Sequence, residues 1–207
     1  MTRLRGALIS LFLVVPCGVV ADGNNTAFVA QNGIGNTLLI DQSAASDSHV
    51  RGLGGWSSQA LLGPVSGTNP EKEDAFDLFF ASAGSGNEPL LQSGDDNEAH
   101  VIISGQDAIA VMMQLGDGND GRINLAVSNT RGMLLQAGDE NRGLVRVSAT
   151  GAAGIMEQNG SNNDTELNVT SPGTRAILRV NGSGLSGDSP YTVNGTASFV
   201  EISISMP

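Results

Sequence analysis

Gln92-Ser93-Gly94-Asp95-Asp96-Asn97, Gln114-Leu115-Gly116-Asp117-Gly118-Asn119, Gln136-Ala137-Gly138-Asp139-Glu140-Asn141 and Gln158-Asn159-Gly160-Ser161-Asn162-Asn163 follow one another at intervals of 22 residues, without an insertion. A fifth copy, Gln31-Gly33-Asn36, stands upstream. A fixed short period means one small supersecondary unit stacked on copies of itself, so function has to be read from the stack rather than from one unit.

The flanks of the motif say what the unit is. Two residues before each glutamine stand Val29, Leu90, Met112, Leu134 and Met156, and nine after it stand Ile40, Val101, Ile123, Val145 and Leu167. The intervening positions after the motif are mostly polar, among them His100, Arg122, Asn124, Arg146, Glu166 and Asn168. This period-two alternation predicts strand, turn, strand, with one face inward. The glycines Gly33, Gly94, Gly116, Gly138 and Gly160 supply the turn conformations, helped by Asn and Asp. Stacking in register then sets Gln31, Gln92, Gln114, Gln136 and Gln158 in one column and Asn36, Asn97, Asn119, Asn141 and Asn163 in another. Their amides are placed to hydrogen-bond along the stack. The fold expected is an all-β solenoid of stacked 22-residue repeats.

The first strand also carries apolar residues at its outward positions: Leu91, Val111 with Met113, Met133 with Leu135, and Ile155. Such a stripe calls for cover from the insert, the C-terminal segment or a partner. The expected organisation is a first repeat over 22–43, an irregular insert over 44–85, four strict repeats over 86–173, and a degenerate repeat with a capping strand over 174–207. Ala75 to Ala83 alternates and places Phe79 one period before Val101, so the insert is expected to hold a degraded repeat. Val180 replaces the glutamine one period after the fourth strict copy.

Arg3 and Arg5, the apolar run Gly6 to Val20 and the small residues of Val19-Val20-Ala21 read as a signal peptide over 1–21. The run is too short for a membrane span, and no span is expected after its removal. Cys17 lies inside this run, with Pro16 a poor neighbour for a lipidation site. It is the only cysteine, so the mature chain has no disulfide or thiol chemistry. The net charge is −11, and losing Arg3 and Arg5 makes it −13. That balance disfavours nucleic acid as a partner and favours solubility.

The Gln-x-Gly-x-x-Asn unit at this period resembles the curlin repeat of bacterial curli subunits. In that family the motif continues as Asn-x-Ala-x-x-x-Gln and has a serine six residues before its first glutamine. Gln31-Gly33-Asn36 runs on to Gln42, and Asn97 to Ala99. The other copies place Ile103, Leu125, Val147 and Val169 at the closing glutamine, and Gly86, Ala108, Thr130 and Ala152 at the serine. The resemblance covers 25–42 and 86–170. It implies a bacterially exported protein in extracellular, cell-surface amyloid fibres of the curli type, serving adhesion and biofilm matrix. Its partners would be itself, other curlin-type subunits and the secretion machinery. A monomeric secreted β-solenoid adhesin or accessory module is the alternative.

Other chemistry finds little footing. Asp95-Asp96, Asp117 with Asp120, and Asp139-Glu140 would stack carboxylates, but Ser128 stands where a calcium loop needs a bidentate glutamate. These acidic residues read as solvated turns whose repulsion slows assembly at neutral pH. His49 and His100 read as surface residues, and neither a nucleophile elbow nor a phosphate loop occurs. No catalytic residue, cofactor or metal site is expected, and the chain is not read as an enzyme.

Overall fold

The computed structural model describes residues 24–52, 89–186, 190–195 and 199–206. The ordered elements there are all strands: β1 (Thr26–Ala27), β2 (Val29–Asn32), β3 (Thr37–Asp41), β4 (His49–Arg51), β5 (Leu90–Ser93), β6 (Glu98–Ile103), β7 (Ile109–Leu115), β8 (Asp120–Leu125), β9 (Arg131–Ala137), β10 (Arg142–Val147), β11 (Ala153–Asn159), β12 (Asp164–Val169), β13 (Arg175–Asn181), β14 (Tyr191–Val193) and β15 (Phe199–Ser205). Among the described residues no helix is long and apolar enough to cross a membrane.

Strands alternate between two parallel sheets, so the chain winds as a solenoid. The first sheet runs β1-β4-β7-β9-β11-β13-β15, with β2 and β5 alongside; the second runs β14-β12-β10-β8-β6-β3. Six coils and a final strand result. From β7 to β13 the stacking offset is constant, with Ile109 over Arg131, Arg131 over Ala153 and Ala153 over Arg175. A shift of one residue would turn every inward side chain out, which is why alternation on both strands pins this register. Leu90, Met112, Leu134 and Met156 form one inner column and Val101, Ile123, Val145 and Leu167 the facing one, all buried.

The insert begins later than expected. Residues 49–51 were read as part of an irregular stretch starting at 44, but β4 pairs in parallel with both β1 and β7. His49, Val50 and Arg51 lie beside Ile109, Ala110 and Val111, and Leu91 beside Met113. One strand of the second coil is therefore assembled from two distant pieces, β4 and β5. The chain leaves it at Gly52 and returns at Pro89, whose carbonyl occupies the space a side chain on Gly52 would need. Gln31 and Gln92 are 61 residues apart, of which 23 is the coil itself, as for Thr26 and His49. The remainder is the segment 52–89. The degraded repeat expected around Phe79 lies outside the described residues.

The two faces of the first sheet both bury apolar side chains. Val111, Met113, Met133, Leu135, Ile155 and Ile177 form a second cluster on its outer side, separate from the solenoid interior. The second sheet instead turns Arg122, Arg142 and Arg146 to solvent. The C-terminal segment was one candidate cover for the outer cluster. It does not lie across it: β15 joins β13 in register and extends the sheet, contributing only Phe199 to the cluster. The insert, the other candidate within the chain, falls at 53–88, outside the described residues. Toward the C-terminus the outer face turns polar: Arg179, 7% exposed, lies 3.8 Å from a Glu157 oxygen and 3.5 Å from one of Glu201.

Candidate amide ladder and turn columns

The glutamines sit at the ends of the first-sheet strands, pointing inward where the chain prepares to reverse. Gln31 Nε2 donates to Gln92 Oε1 at 2.6 Å, and the same bond recurs at 2.9 Å from Gln92 to Gln114, Gln114 to Gln136 and Gln136 to Gln158. From Gln92 to Gln158 the amides also reach across the coil. Gln114 Nε2 donates to Glu98 O and Asn119 O, and Gln136 Nε2 to Asp120 O and Asn141 O. Gln92, Gln114, Gln136 and Gln158 are buried, so these partners stand in for water. The ladder has a direction: from Gln31 to Gln136 each Nε2 donates to the C-terminal neighbour.

It ends at the position where Val180 replaces glutamine. There Gln158 Nε2 donates to Thr165 Oγ1 at 2.9 Å, so a hydroxyl takes over the role of the missing amide oxygen. Ala99, Gly121, Gly143 and Thr165 stack in one column of the second sheet. A Cβ on Gly121 would come within 2.8 Å of Gln114 Nε2, and one on Gly143 within 2.8 Å of Gln158 Oε1. These two glycines leave the room that the ladder fills. Sequence reasoning passed over both, although small residues seven positions after the glutamine were a visible signal.

The asparagines run the other way. Asn36 Oδ1 accepts the backbone N–H of Asn97, and the pattern repeats from Asn97 to Asn119, Asn119 to Asn141 and Asn141 to Asn163. The amide nitrogens of Asn36, Asn97, Asn141 and Asn163 donate to the carbonyls of Gly94, Gly116, Gly160 and Gly182 in the next coil. Each of these four thus closes its own turn onto its neighbour's glycine, while Asn119 Nδ2 donates to Asn97 Oδ1. The glycines Gly33, Gly94, Gly116, Gly138 and Gly160 have φ between +108° and +135°, and a Cβ on any of them would run into the next coil's glycine carbonyl. All fifteen expected column residues are therefore brought together.

The acidic turns do more than was expected of them. Asp95 Oδ1 accepts the N–H of Ile34, Asp117 that of Asp95 and Asp139 that of Asp117, at 2.8–3.0 Å. Ser161 and Ser183 hydroxyls continue the same column. One oxygen of each carboxylate is thus committed to its neighbour's backbone, which gives the stacked acids a structural reason. Among the described residues no group of three His, Cys, Asp or Glu side chains is placed to hold a metal ion.

Two details revise the motif's continuation. The closing position after Gln42 is apolar and buried in Ile103, Leu125, Val147 and Val169, so core packing replaces a second amide ladder there. Counting six residues back from Gln92 puts the serine position at Gly86, which lies outside the described residues. Because the strand is spliced, Ser48 occupies that place: it is buried, donates to Gly105 O and accepts from Ala108 N–H. His49, read as a surface residue, is half-buried, with Nδ1 2.6 Å from Thr26 Oγ1. Burial, with Arg51 nearby, pushes its pKa down, against the opposing pull of Asp47 and Asp107. No protein-family model, curated protein or solved structure matches the chain.

Proposed function

We propose that this chain is a structural protein: an exported, curlin-like subunit or minor component of extracellular amyloid fibres of the curli type, working with other curlin-type subunits in adhesion and biofilm matrix. The observation that carries the proposal is the condition of the solenoid's ends. Val29, Gln31, Asn36, Leu38 and Ile40 in the first coil are half-exposed, whereas their stacked counterparts Leu90, Gln92, Asn97, Ala99 and Val101 are buried. At the far end Val200, Ile202 and Ile204 are half-exposed as well. A parallel stack whose terminal strands show inward side chains and backbone edges to solvent is a template for another chain. Its function is then the continuation of the stack, and no catalytic step is assigned to it.

A second reading, a monomeric secreted adhesin or accessory module, draws support from the far end, where Val180 and Leu185 stand in the two amide columns. Assembly decides between the readings. With residues 1–21 removed, the purified protein is expected to bind thioflavin with a lag and to give cross-β diffraction near 4.8 Å. The lag is expected to shorten at 1 M salt, where the Debye length falls to about 3 Å and repulsion between like-charged chains is screened. A protein that stays monomeric at high concentration, seeded or unseeded, would favour the second reading.

A further inference from the structure

The ladders give the solenoid two unlike ends. At the first coil both columns hold amides, Gln31 and Asn36. In the last described coil and strand both columns are apolar: Val180 and then Ile204 follow Gln158, and Leu185 follows Asn163. The direction of the bonds turns this into a polarity. Each glutamine Nε2 from Gln31 to Gln136 donates to the following coil, so Gln31 Oε1 is the acceptor that leads the ladder. Each later asparagine gives its backbone N–H to the asparagine before it, so the Asn36 N–H faces the place where a preceding asparagine would stand.

We infer that the first coil is the docking end of this subunit, and that its occupant is the final coil of a different chain that keeps the Gln-x-Gly-x-x-Asn motif to its last repeat. Such a coil would donate its glutamine amide to Gln31 Oε1 and accept the Asn36 N–H. A second copy of this chain meets Gln31 with Ile204 instead, and an amide set against an apolar side chain loses its partner. Own-copy stacking keeps the backbone ladder and the apolar columns but not the amide bonds. The chain therefore seats itself on an amide-bearing neighbour better than on itself, and its last strand slows further growth. The turn column is neutral in this choice. Ile34, 79% exposed, has no acceptor to offer an incoming backbone N–H, and solvent serves that group.

This inference rests on the fibre reading, and one substitution separates the two. Ile204→Gln lies on the half-exposed terminal strand and makes the variant itself the probe for an amide-bearing neighbour. Seeded elongation is followed by single-fibre fluorescence microscopy for the native chain, for I204Q and for the double variant Q31L/I204Q. I204Q is expected to elongate about fivefold faster than native, the worth of one net hydrogen bond. Q31L/I204Q is expected to return to the native rate. Equal rates for native and I204Q, or an I204Q advantage that survives Q31L, would overturn the polarity while leaving the fibre reading intact. If none of the three forms cross-β assemblies, the fibre reading is what fails. Circular dichroism verifies that all three fold, and the urea midpoint of Q31L/I204Q reports separately the donor that Gln92 Oε1 loses with Gln31.

Discussion

The coils headed by Gln92 to Gln158 and the coil containing Val180 share one backbone path, one parallel register and the same inner column, in which Leu178 follows Met156. They differ in what fills the glutamine position. In the strict coils a buried amide is tied to the coils on either side; after Gln158 an aliphatic side chain lies in the same place and Thr165 closes the ladder. Register therefore does not depend on the amides, because the coils beyond the ladder keep it. Alternating apolar columns and backbone pairing suffice. What the amides add is selectivity, since a buried amide accepts only neighbours that answer its hydrogen bonds.

The largest expected effect comes from breaking the ladder in its middle. Gln136→Leu leaves Gln158 Oε1 buried without the donor it now has, at about 1–3 kcal/mol for that oxygen alone. Gln158→Leu merely moves the boundary one coil earlier. Gln136 Nε2 then loses one acceptor but keeps Asp120 O and Asn141 O, so the loss is expected to be smaller. The double variant should cost less than the sum of the singles, because it strands no oxygen. Urea midpoints of the three proteins make the comparison; equal losses for the singles, or strict additivity, would show that the bond direction carries no energetic weight.

Next in size is the room reserved for the ladder. Gly143→Ala sets a methyl 2.8 Å from Gln158 Oε1 and 2.9 Å from Leu134 Cδ1, both inside a closely packed stack. A loss of about 1–3 kcal/mol is expected. One coil on, the same column already holds a threonine, because there the ladder ends. Thr165→Ala is expected to lose less, since Gln158 Nε2 retains Arg142 O. A Gly143→Ala protein as stable as the parent would mean that the glycine column does not confine the amides.

Most of this architecture was legible because it repeats. Offsets from one glutamine place Met112, Ile123 and Asn119 in five copies, and an error in one coil would have contradicted the others. What stayed illegible was singular. β4 is three residues long, and its continuation, Leu90, lies across the segment 52–89, so no periodicity joins the halves in sequence. Ser48 went unassigned for the same reason. The carboxylate column was visible as a run of acids, but which N–H each would accept depends on how close adjacent turns stack. Gly121 and Gly143 drew no reading, because the room a glycine leaves shows only once the amides that fill it are placed.

The turns offer a smaller test. Glu140 has φ +56°, in the column where Gly118 has φ +67° and Gly35 +77°. Left-handed backbone costs a residue with a Cβ roughly 1–2 kcal/mol, while glycine adds freedom to the unfolded chain. Glu140→Gly is expected to stabilise by about 0.5–1 kcal/mol net, read as a raised urea midpoint. The matching change Asp117→Ser should be nearly neutral, since Ser161 and Ser183 already fill that acceptor role in later coils. A clear loss in Asp117→Ser would mean that the carboxylate is needed as a charge and not only as an acceptor.

The smallest effect separates the first coils from the strict ones by pH. The His49 pKa is pushed below its ordinary 6.5, chiefly by burial and then by Arg51, while Asp47 and Asp107 pull the other way. A lowered pKa means that the folded chain binds the proton less readily than the unfolded one. The stability this histidine contributes is therefore fully present above about pH 6.5 and fades as the pH falls through that value toward the folded pKa. Its reach is local, because His49 touches Thr26 and belongs to the short pairing of β1 with β4. The N–H groups of Thr26 and Phe28, which donate to Ser48 O and Val50 O, should exchange with deuterium faster at pH 5.5 than at pH 7.5 once intrinsic rates are removed. Those of Gly116 and Gly138 in the strict turns should not follow. His49→Asn should abolish the difference; a pH response that persists in that variant would show that His49 is not its source.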